Sequence, residues 1–198
     1  MTYNIIADIA GRYDELLELV ALMPKADKII LVGDLIDRGP KSKEVVEWAM
    51  TTPDVITLKG NHEDMIGQSY YDLWDVDHIR NGGLATMASY NVKSVKEYPK
   101  EHIDWMQKLP IFHKDEGLFI SHAPWIGTLG DYGWERTALW NRYPLKEVEG
   151  IFQVHGHNTY FEKFDDCGIC IDNSGNGILT GIHWPTKELY EVKYKDVK

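Results

Sequence analysis

The chain has 198 residues, a length that suits one domain with a sizeable core, and its 43% hydrophobic content argues against disorder. Its 21 Lys and Arg residues and 31 Asp and Glu residues give a formal net charge of −10. So acidic a chain lacks the excess of cations with which proteins coat nucleic acid or anionic membranes, and no apolar run is long enough to span a bilayer.

The first third of the chain alternates short apolar runs with segments of helical periodicity. We predict strands at 3–7, 28–32 and 55–58 and helices at 13–23 and 42–50. This β-α-β-α-β order implies parallel strands with right-handed crossovers, and helices that cover a face of the sheet.

The rest of the chain is predicted to be helical first and then rich in strands. Residues 63–110 are interpreted as a helical insertion, with helices near 63–74, 82–90 and 101–109. Short strands are predicted at 111–114, 118–121, 151–154, 169–171, 178–182 and 189–194. Residues 123–143 form a long irregular stretch rich in Gly and Trp, and loops of this length are usually functional. Two sheets packed face to face, with helices outside, would accommodate all these strands.

The cysteine content and the N-terminal residues predict the cellular compartment of the chain. Two cysteines provide no disulfide framework, and the first residues lack the pattern of a signal peptide, so we expect a reducing cytoplasm. Cys167 and Cys170 have CxxC spacing without a second pair to complete a zinc site, which favours structural thiols. No internal repeat or Gly/Ser linker is evident, and we predict a single domain over residues 1–198.

Side chains that can bind metal follow the predicted strands. They occur in DIAG at 8–11, GDLIDRG at 33–39, GNHE at 60–63, SHA at 121–123 and HGH at 155–157. The carboxyl ends of strands in an open α/β sheet converge on one crevice, which would bring together Asp8, Asp34, Asn61, His122 and His157. Carboxylate, amide and imidazole ligands suit Mn²⁺, Fe or Zn²⁺, and a carboxylate such as Asp34 could bridge two ions.

Four further residues suit the handling of a phosphate ester. His62 adjoins Asn61 and could protonate a leaving oxygen, and Asp37 is placed to hold the imidazole as its cation. Arg38 and Arg142 offer planar guanidinium groups to phosphate oxygens. We therefore predict catalytic roles for these four residues.

These motifs give the chain a family resemblance. DIAG, GDLIDRG and GNHE in this order, followed by the histidines of SHA and GH, resemble the calcineurin-like metallophosphoesterase superfamily. Trp140-Asn141-Arg142 and Asn81-Gly82-Gly83 resemble its phosphoprotein-phosphatase branch of small bacterial and bacteriophage Ser/Thr phosphatases. The resemblance implies a four-layer α/β/β/α sandwich.

The resemblance also implies two divalent metal ions, with Mn²⁺ favoured over Fe or Zn²⁺. One ion would lie on Asp8, position 10 and Asp34. The other would lie on Asp34, Asn61, His122 and His157. His62 with Asp37 would be the acid pair, and Arg38 with Arg142 would hold the phosphate.

One position departs from the resemblance, because members of the superfamily carry histidine where this chain has Ala10. Alanine cannot ligate a metal ion, so we expect weak binding at the first ion and strongly reduced turnover. An introduced inactivating substitution and a natural pseudoenzyme would both leave this single missing ligand.

The function implied by the resemblance is hydrolysis of phosphate monoesters of the phosphoserine or phosphothreonine type. A metal-bridging hydroxide would attack phosphorus directly, without a phosphoenzyme. Two alternatives stay open: a nucleotide phosphoesterase that cleaves dinucleoside polyphosphates, cyclic phosphates or a nucleotide signal, and a non-catalytic phosphate-binding module. The expected partner is thus a phosphorylated protein or peptide, or a nucleotide.

Aromatic residues cluster between His122 and Arg142, where core packing competes with a stacking surface for a nucleobase or a peptide side chain. The candidate substrate contacts are Asn81, Trp125, Tyr132 and Trp134, and Trp140 belongs to the same aromatic group. Four other histidines show no convergent partners and are expected to be solvated or core residues: His78, His102, His113 and His183.

Overall fold

A computed structural model describes residues 1–72, 76–125, 133–160, 162–164 and 166–195, without the side chains at positions 134, 163 and 164. The α-helices are α1 (Tyr13–Leu22), α2 (Ser42–Thr51), α3 (Asn61–Tyr71), α4 (Leu84–Tyr90), α5 (Lys100–Lys108) and α6 (Trp134–Trp140). The strands are β1 (Tyr3–Ile6), β2 (Lys28–Leu31), β3 (Val55–Thr57), β4 (Phe112–Asp115), β5 (Leu118–Ser121), β6 (Phe152–His155), β7 (Glu162–Phe164), β8 (Gly168–Cys170), β9 (Asp172–Asn173), β10 (Ile178–Trp184) and β11 (Glu188–Lys193). A kinked turn, Ile79–Gly83, precedes α4, and Gly82 within it has a φ of +112°.

The first sheet has the strand order β11-β10-β1-β2-β3, with β9 paired to β10. Strands β1, β2 and β3 are parallel, as their alternation with helices predicts, and Ile5 pairs with Ile30 and Ile30 with Ile56. Strand β10 runs antiparallel to β1 and forms a hairpin with β11. The carboxyl ends of the three parallel strands therefore lie at one edge of this sheet.

The second sheet has the strand order β4-β5-β6-β8-β7. Its central strands β5, β6 and β8 are parallel, and the edge strands β4 and β7 are antiparallel to their neighbours. The predicted mixed α/β class with two sheets and helices is thus confirmed.

Two apolar cores follow from the alternation of side chains along the strands. In β1, Ile5 belongs to a cluster that joins the two sheets, together with Ile30, Ile120 and Val154. The neighbouring Ile6 faces the other way, into a cluster with residues of α1, α2, α3 and α5. The sheets therefore pack face to face, with helices on the outer side of the first sheet.

The helical insertion predicted at 63–110 is confirmed as α3, α4 and α5. Ile66 of α3 and Ile103 and Met106 of α5 are fully buried in the core beside the first sheet. Among the residues that the structure describes, no helix has the length and apolarity needed to cross a membrane.

Helix α6 is the main element that the sequence did not predict, because it lies within the stretch interpreted as irregular. It spans seven residues, and of its described side chains Ala138 and Leu139 alone are less than a tenth exposed, so these side chains form no long apolar stripe. The short strands β7 and β9 were also not predicted. Cys167 and Cys170 are not joined in a disulfide.

Candidate metal centre

The strand ends of both sheets converge, and five buried side chains meet there. Asp8 follows β1, Asp34 follows β2, and Asn61 follows β3 as the first residue of α3. His122 follows β5 and His157 follows β6, so the second sheet contributes both imidazoles. Each of the five is at most 4% exposed. The structure therefore brings together all five residues predicted as metal ligands.

Unusual backbone conformations at these strand ends aim the side chains into the crevice. Asp8, Asp34 and His157 all have left-handed φ values, +51°, +51° and +71°, which side-chain-bearing residues adopt at a cost. Hydrogen bonds between the motifs hold this backbone: the N–H of His157 donates to the Asp8 carboxylate at 3.1 Å. At Gly60 and Gly156, a Cβ atom would overlap the carboxylates of Asp34 and Asp8. The glycines of these motifs thus allow the backbone to approach the ligands closely.

One set of potential ligand atoms is especially compact. Ligand atoms of Asp34, His122 and His157 all lie within 4.8 Å of one another. The Oδ1 atom of Asn61 lies 2.8 Å from His122 Nε2 and 3.0 Å from His157 Nδ1. A carboxylate, an amide oxygen and two imidazoles therefore surround one small volume.

The chemistry of this set fits a divalent cation. His122 donates from Nδ1 to the carbonyl oxygen of Val32 at 2.9 Å, so in the neutral ring Nε2 carries a lone pair. That nitrogen faces Asn61 Oδ1 and, at 3.3 Å, Asp34 Oδ1. Electron-rich atoms that face one another in a buried site are the arrangement a metal ion stabilises.

The surroundings of two of these residues displace their pKa values. Burial alone would raise the pKa of Asp34, but the imidazoles of His122 and His62 outweigh burial and lower it to about 2. Burial, followed by the neighbouring His122, lowers the pKa of His157 to about 3. An ionised carboxylate and a neutral imidazole are the forms in which these groups bind metal.

The first predicted ligand set is less complete. Burial and the nearby carboxylates of Asp172 and Asp34 raise the pKa of Asp8 well above its ordinary value, so a cation beside Asp8 would relieve this repulsion. Ala10 is buried with φ +48°, and its methyl group offers no ligand atom. Its backbone connects two motifs, because its N–H donates to the Asp34 carbonyl at 2.8 Å. Asp8 and Asp34 are therefore the donors of the first predicted set.

His62 and Asp37 form a buried pair beside the metal ligands, as predicted. His62 Nδ1 lies 2.5 Å from Asp37 Oδ2, and its Nε2 lies 3.6 Å from Asp34 Oδ2. Arg38 Nη2 lies 3.0 Å from the same Nε2. Burial lowers the pKa of His62, but Asp34 and Asp37 outweigh it and raise the pKa above its ordinary value. This imidazole is thus poised to hold a proton at the edge of the crevice.

Two residues that the sequence did not assign to the site hold Asp37. Thr86 of α4 donates from Oγ1 to Asp37 Oδ1 at 2.6 Å. His78 is fully buried, with Nδ1 3.4 Å from Asp37 Oδ2, so the expectation that His78 has no convergent partner is wrong. The sequence around Thr86 and His78 does not indicate this role, because both residues reach Asp37 only when the helical insertion has folded.

Glu63 is a third residue whose role emerges only from the structure. Its carboxylate accepts hydrogen bonds from the backbone N–H groups of Asp34, Leu35 and Gly60, each at 2.8 Å. Burial, with the nearby Asp34, raises the pKa of Glu63 to about 7. Glu63 therefore connects the loop that carries Asp34 to the start of α3. The place of Glu63 in the GNHE motif is the feature of the sequence that could have indicated this role.

The remaining predicted residues that the structure describes are less buried than the five potential ligands. Arg142 is exposed and donates to the carbonyl oxygen of His157 at 3.2 Å. Asn81 is also exposed and donates to the carbonyl oxygen of Asp77 at 2.8 Å. Trp125 is half-buried and stacks on Phe119 with ring centroids 4.3 Å apart. Tyr132 and the side chain of Trp134 lie outside the described residues.

A comparison with protein families agrees with the fold and the converged strand ends. The calcineurin-like phosphoesterase family matches residues 1–173, which is most of the chain. The chain therefore belongs to the calcineurin-like phosphoesterases, and the predicted superfamily is confirmed.

Curated relatives carry the name of a nucleotide hydrolase. A symmetrical bis(5'-nucleosyl)-tetraphosphatase of Aromatoleum aromaticum is 32% identical over 157 residues, covering 76% of this chain and 52% of the relative. A protein of the same name from Methylobacillus flagellatus is 33% identical over 129 residues, covering 62% and 43%. The chain thus spans about half the length of these relatives. Neither relative carries the name of a protein phosphatase.

A solved structure shares the fold over nearly the whole chain. The protein is described as a candidate diadenosine tetraphosphatase, and the TM-score is 0.78 with 18% sequence identity. The match covers 99% of this chain and 95% of the other. At this identity the likeness concerns the fold alone.

Proposed function

We propose that this chain is a metal-dependent phosphoesterase whose substrates are nucleotides of the dinucleoside polyphosphate type. The observation that carries the proposal is the compact set of Asp34, His122 and His157 beside the His62–Asp37 pair. The names of the curated relatives support the nucleotide substrate over the phosphoserine-type substrate that the motifs suggested.

The metal ligands divide into a strong set and a weak set. Asp34, Asn61, His122 and His157 would hold one divalent ion, and Asp8 with Asp34 would contribute to a second. Bound divalent ions would neutralise phosphate charge and make water more acidic. With Ala10, the ion on Asp8 and Asp34 has no imidazole ligand from position 10, and we propose that activity is reduced for this reason.

The chain's own residues orient the phosphate and supply a proton. Arg38 at the edge of the crevice and Arg142 beside His157 would bind the non-bridging phosphate oxygens. Arg38 can only donate, so its contact with His62 Nε2 would give way when Arg38 binds phosphate. His62 would then hold a proton at Nε2, the nitrogen that faces Asp34, and release it to the leaving phosphate oxygen. Asp37 fixes the ring through Nδ1 and stabilises the protonated form.

A direct test compares substrates under identical conditions. The chain and its Ala10→His variant are incubated with Mn²⁺ and either bis(5'-adenosyl) tetraphosphate or a phosphoserine peptide, and the products are separated by chromatography. We expect nucleotide products that are absent from a matched Asp34→Asn variant. Release of phosphate from the peptide without cleavage of the nucleotide would contradict the proposed substrate.

A further inference from the structure

A cleft of about 410 Å³ opens between α3 and α6, next to the candidate metal centre. Its principal lining residues are Lys59, Asp64, Gln68, Arg136, Leu139 and Trp140. Lys59 immediately precedes GNHE, and the Trp140 ring lies edge-on to His157 with ring centroids 6.3 Å apart. A ligand phosphate at the metal centre would therefore leave the rest of the ligand beside this cleft.

Trp140 offers an exposed aromatic surface beside the candidate metal centre. It is 36% exposed, in contrast to Trp125, which packs half-buried on Phe119. Burial raises the pKa of Asp64, and the neighbouring Lys59 and Trp140 side chains oppose this rise, so the indole lies beside this carboxylate. The Asp64 carboxylate also accepts a hydrogen bond from Gln68 Nε2 at 2.7 Å. The exposed indole face is available for stacking. Because Gln68 donates through Nε2, its amide oxygen is left as a hydrogen-bond acceptor.

The charged groups of the cleft favour one class of ligand. Lys59 and Arg136 provide cations for a phosphate chain that extends from the metal centre. An acceptor on Gln68 and carboxylates on Asp77 and Glu135 suit the amino group of a base.

We propose that this cleft binds the nucleoside end of a nucleotide, with the base stacked on Trp140 and its amino group directed to Gln68. This inference rests on the proposed function, since it assigns a location to the nucleoside of the same substrate. It replaces Trp125 by Trp140 as the aromatic substrate contact. A volume of about 410 Å³ lies within the usual range for small-ligand sites.

The test uses adenosine, which lacks phosphate and so reports on the cleft independently of metal. Binding to the whole chain, without added metal, is measured by ligand-detected NMR titration. We expect Trp140→Leu to weaken adenosine binding about tenfold and Trp140→Phe to weaken it less, because phenylalanine keeps a stacking face. Tyr143→Leu, which removes an exposed aromatic three residues away, is the matched control and should bind as the parent chain does.

A second variant keeps the test decisive if Trp140→Leu fails to fold. Gln68 is exposed, and Gln68→Leu should weaken the binding of adenosine but not of purine riboside, which lacks the amino group. Equal adenosine binding by the parent chain, Trp140→Leu and Gln68→Leu would overturn the inference. So would Trp140-dependent binding of an arginine amide in place of adenosine.

Kinetics separate this inference from the proposed function. If the Ala10→His variant cleaves bis(5'-adenosyl) tetraphosphate, adding Trp140→Leu should raise KM about tenfold with little change in kcat. Trp140-dependent adenosine binding without any nucleotide cleavage would support nucleoside binding in the cleft and contradict the proposed function. If the nucleotide is cleaved and its KM is unaffected by Trp140→Leu, nucleoside binding in the cleft is overturned while the proposed function stands.

Discussion

The imidazole of His62 is fixed by a chain of contacts that extends away from the metal ligands. Asp37 bonds its Nδ1; from the helical insertion, Thr86 donates a hydrogen bond to Asp37 and His78 lies 3.4 Å from it. Burial raises the pKa of Asp37, but its contacts with His62 and His78 outweigh burial and lower it. Asp37 thus stays ionised where it can stabilise a protonated His62.

Replacing His62 should slow the chemical step without weakening substrate binding. We expect His62→Asn in the Ala10→His background to lower kcat by about 10²- to 10⁴-fold, the range typical of a general acid, with KM nearly unchanged. Steady-state kinetics on the tetraphosphate measure this. His102→Asn is the control, because His102 contacts Tyr90 in the helical insertion. An equal loss in both variants would contradict the assigned role.

An imidazole introduced at position 10 should raise activity. Ala10 is buried near Asp34, and a histidine there would add a third donor to Asp8 and Asp34. We expect Ala10→His to increase the Mn²⁺-dependent rate by about tenfold or more, in line with the effect of groups that support metal sites. Ala10→Ser, which adds a polar atom without an imidazole, is the control. A rate equal to that of the parent chain would refute the proposal that Ala10 limits turnover.

Among the secondary-structure elements, the junction between β3 and α3 organises the centre. Glu63, in the first turn of α3, accepts three backbone N–H groups, two of them from the loop after β2. The junction therefore sets the position of Asp34 relative to Asn61.

Glu63→Gln tests this link between loops. A glutamine amide cannot accept all three hydrogen bonds, and one buried unsatisfied donor costs about 1–3 kcal/mol. We expect the free energy of unfolding to fall by roughly that amount, together with weaker Mn²⁺ binding. Urea denaturation and metal titration measure the two effects. Glu47→Gln on the half-exposed side of α2 should change neither, and unchanged stability of Glu63→Gln would contradict the role.

The elements and residues that could be predicted share a local signal. The apolar runs at β1, β2 and β3 are each followed by a short motif, so both the strands and the ligands at their ends were evident in the sequence. Helix α6 has no such run. Thr86 and Glu63 meet their partners across 49 and 28 residues, so their roles depend on how the loops and the insertion pack.

For the whole molecule, a metal ion at the centre would connect the two sheets. Asp34 and Asn61 follow strands of the first sheet, and His122 and His157 follow strands of the second. The net charge of −10 does not oppose an anionic substrate, because the ions and Arg38 would set the charge of the crevice locally.

Metal should therefore stabilise the folded chain. At a Mn²⁺ concentration of 100 times Kd, binding to the folded state alone adds about 2.7 kcal/mol. We expect Tm to rise with Mn²⁺ and to fall back with a chelator, as measured by calorimetry. Asp14→Asn, at a surface ion pair with Lys41, should retain the response, and Asp34→Asn should lose it. Identical Tm values with metal and with chelator would argue against a metal that joins the sheets.

The most direct measurement is the number of Mn²⁺ ions bound per chain, counted by electron paramagnetic resonance during a titration. The account predicts one tightly bound ion in the parent chain, two in Ala10→His, and loss of the tight ion in His122→Ala. No tightly bound Mn²⁺ in either the parent chain or Ala10→His would contradict the account, as would full retention of the tight ion in His122→Ala.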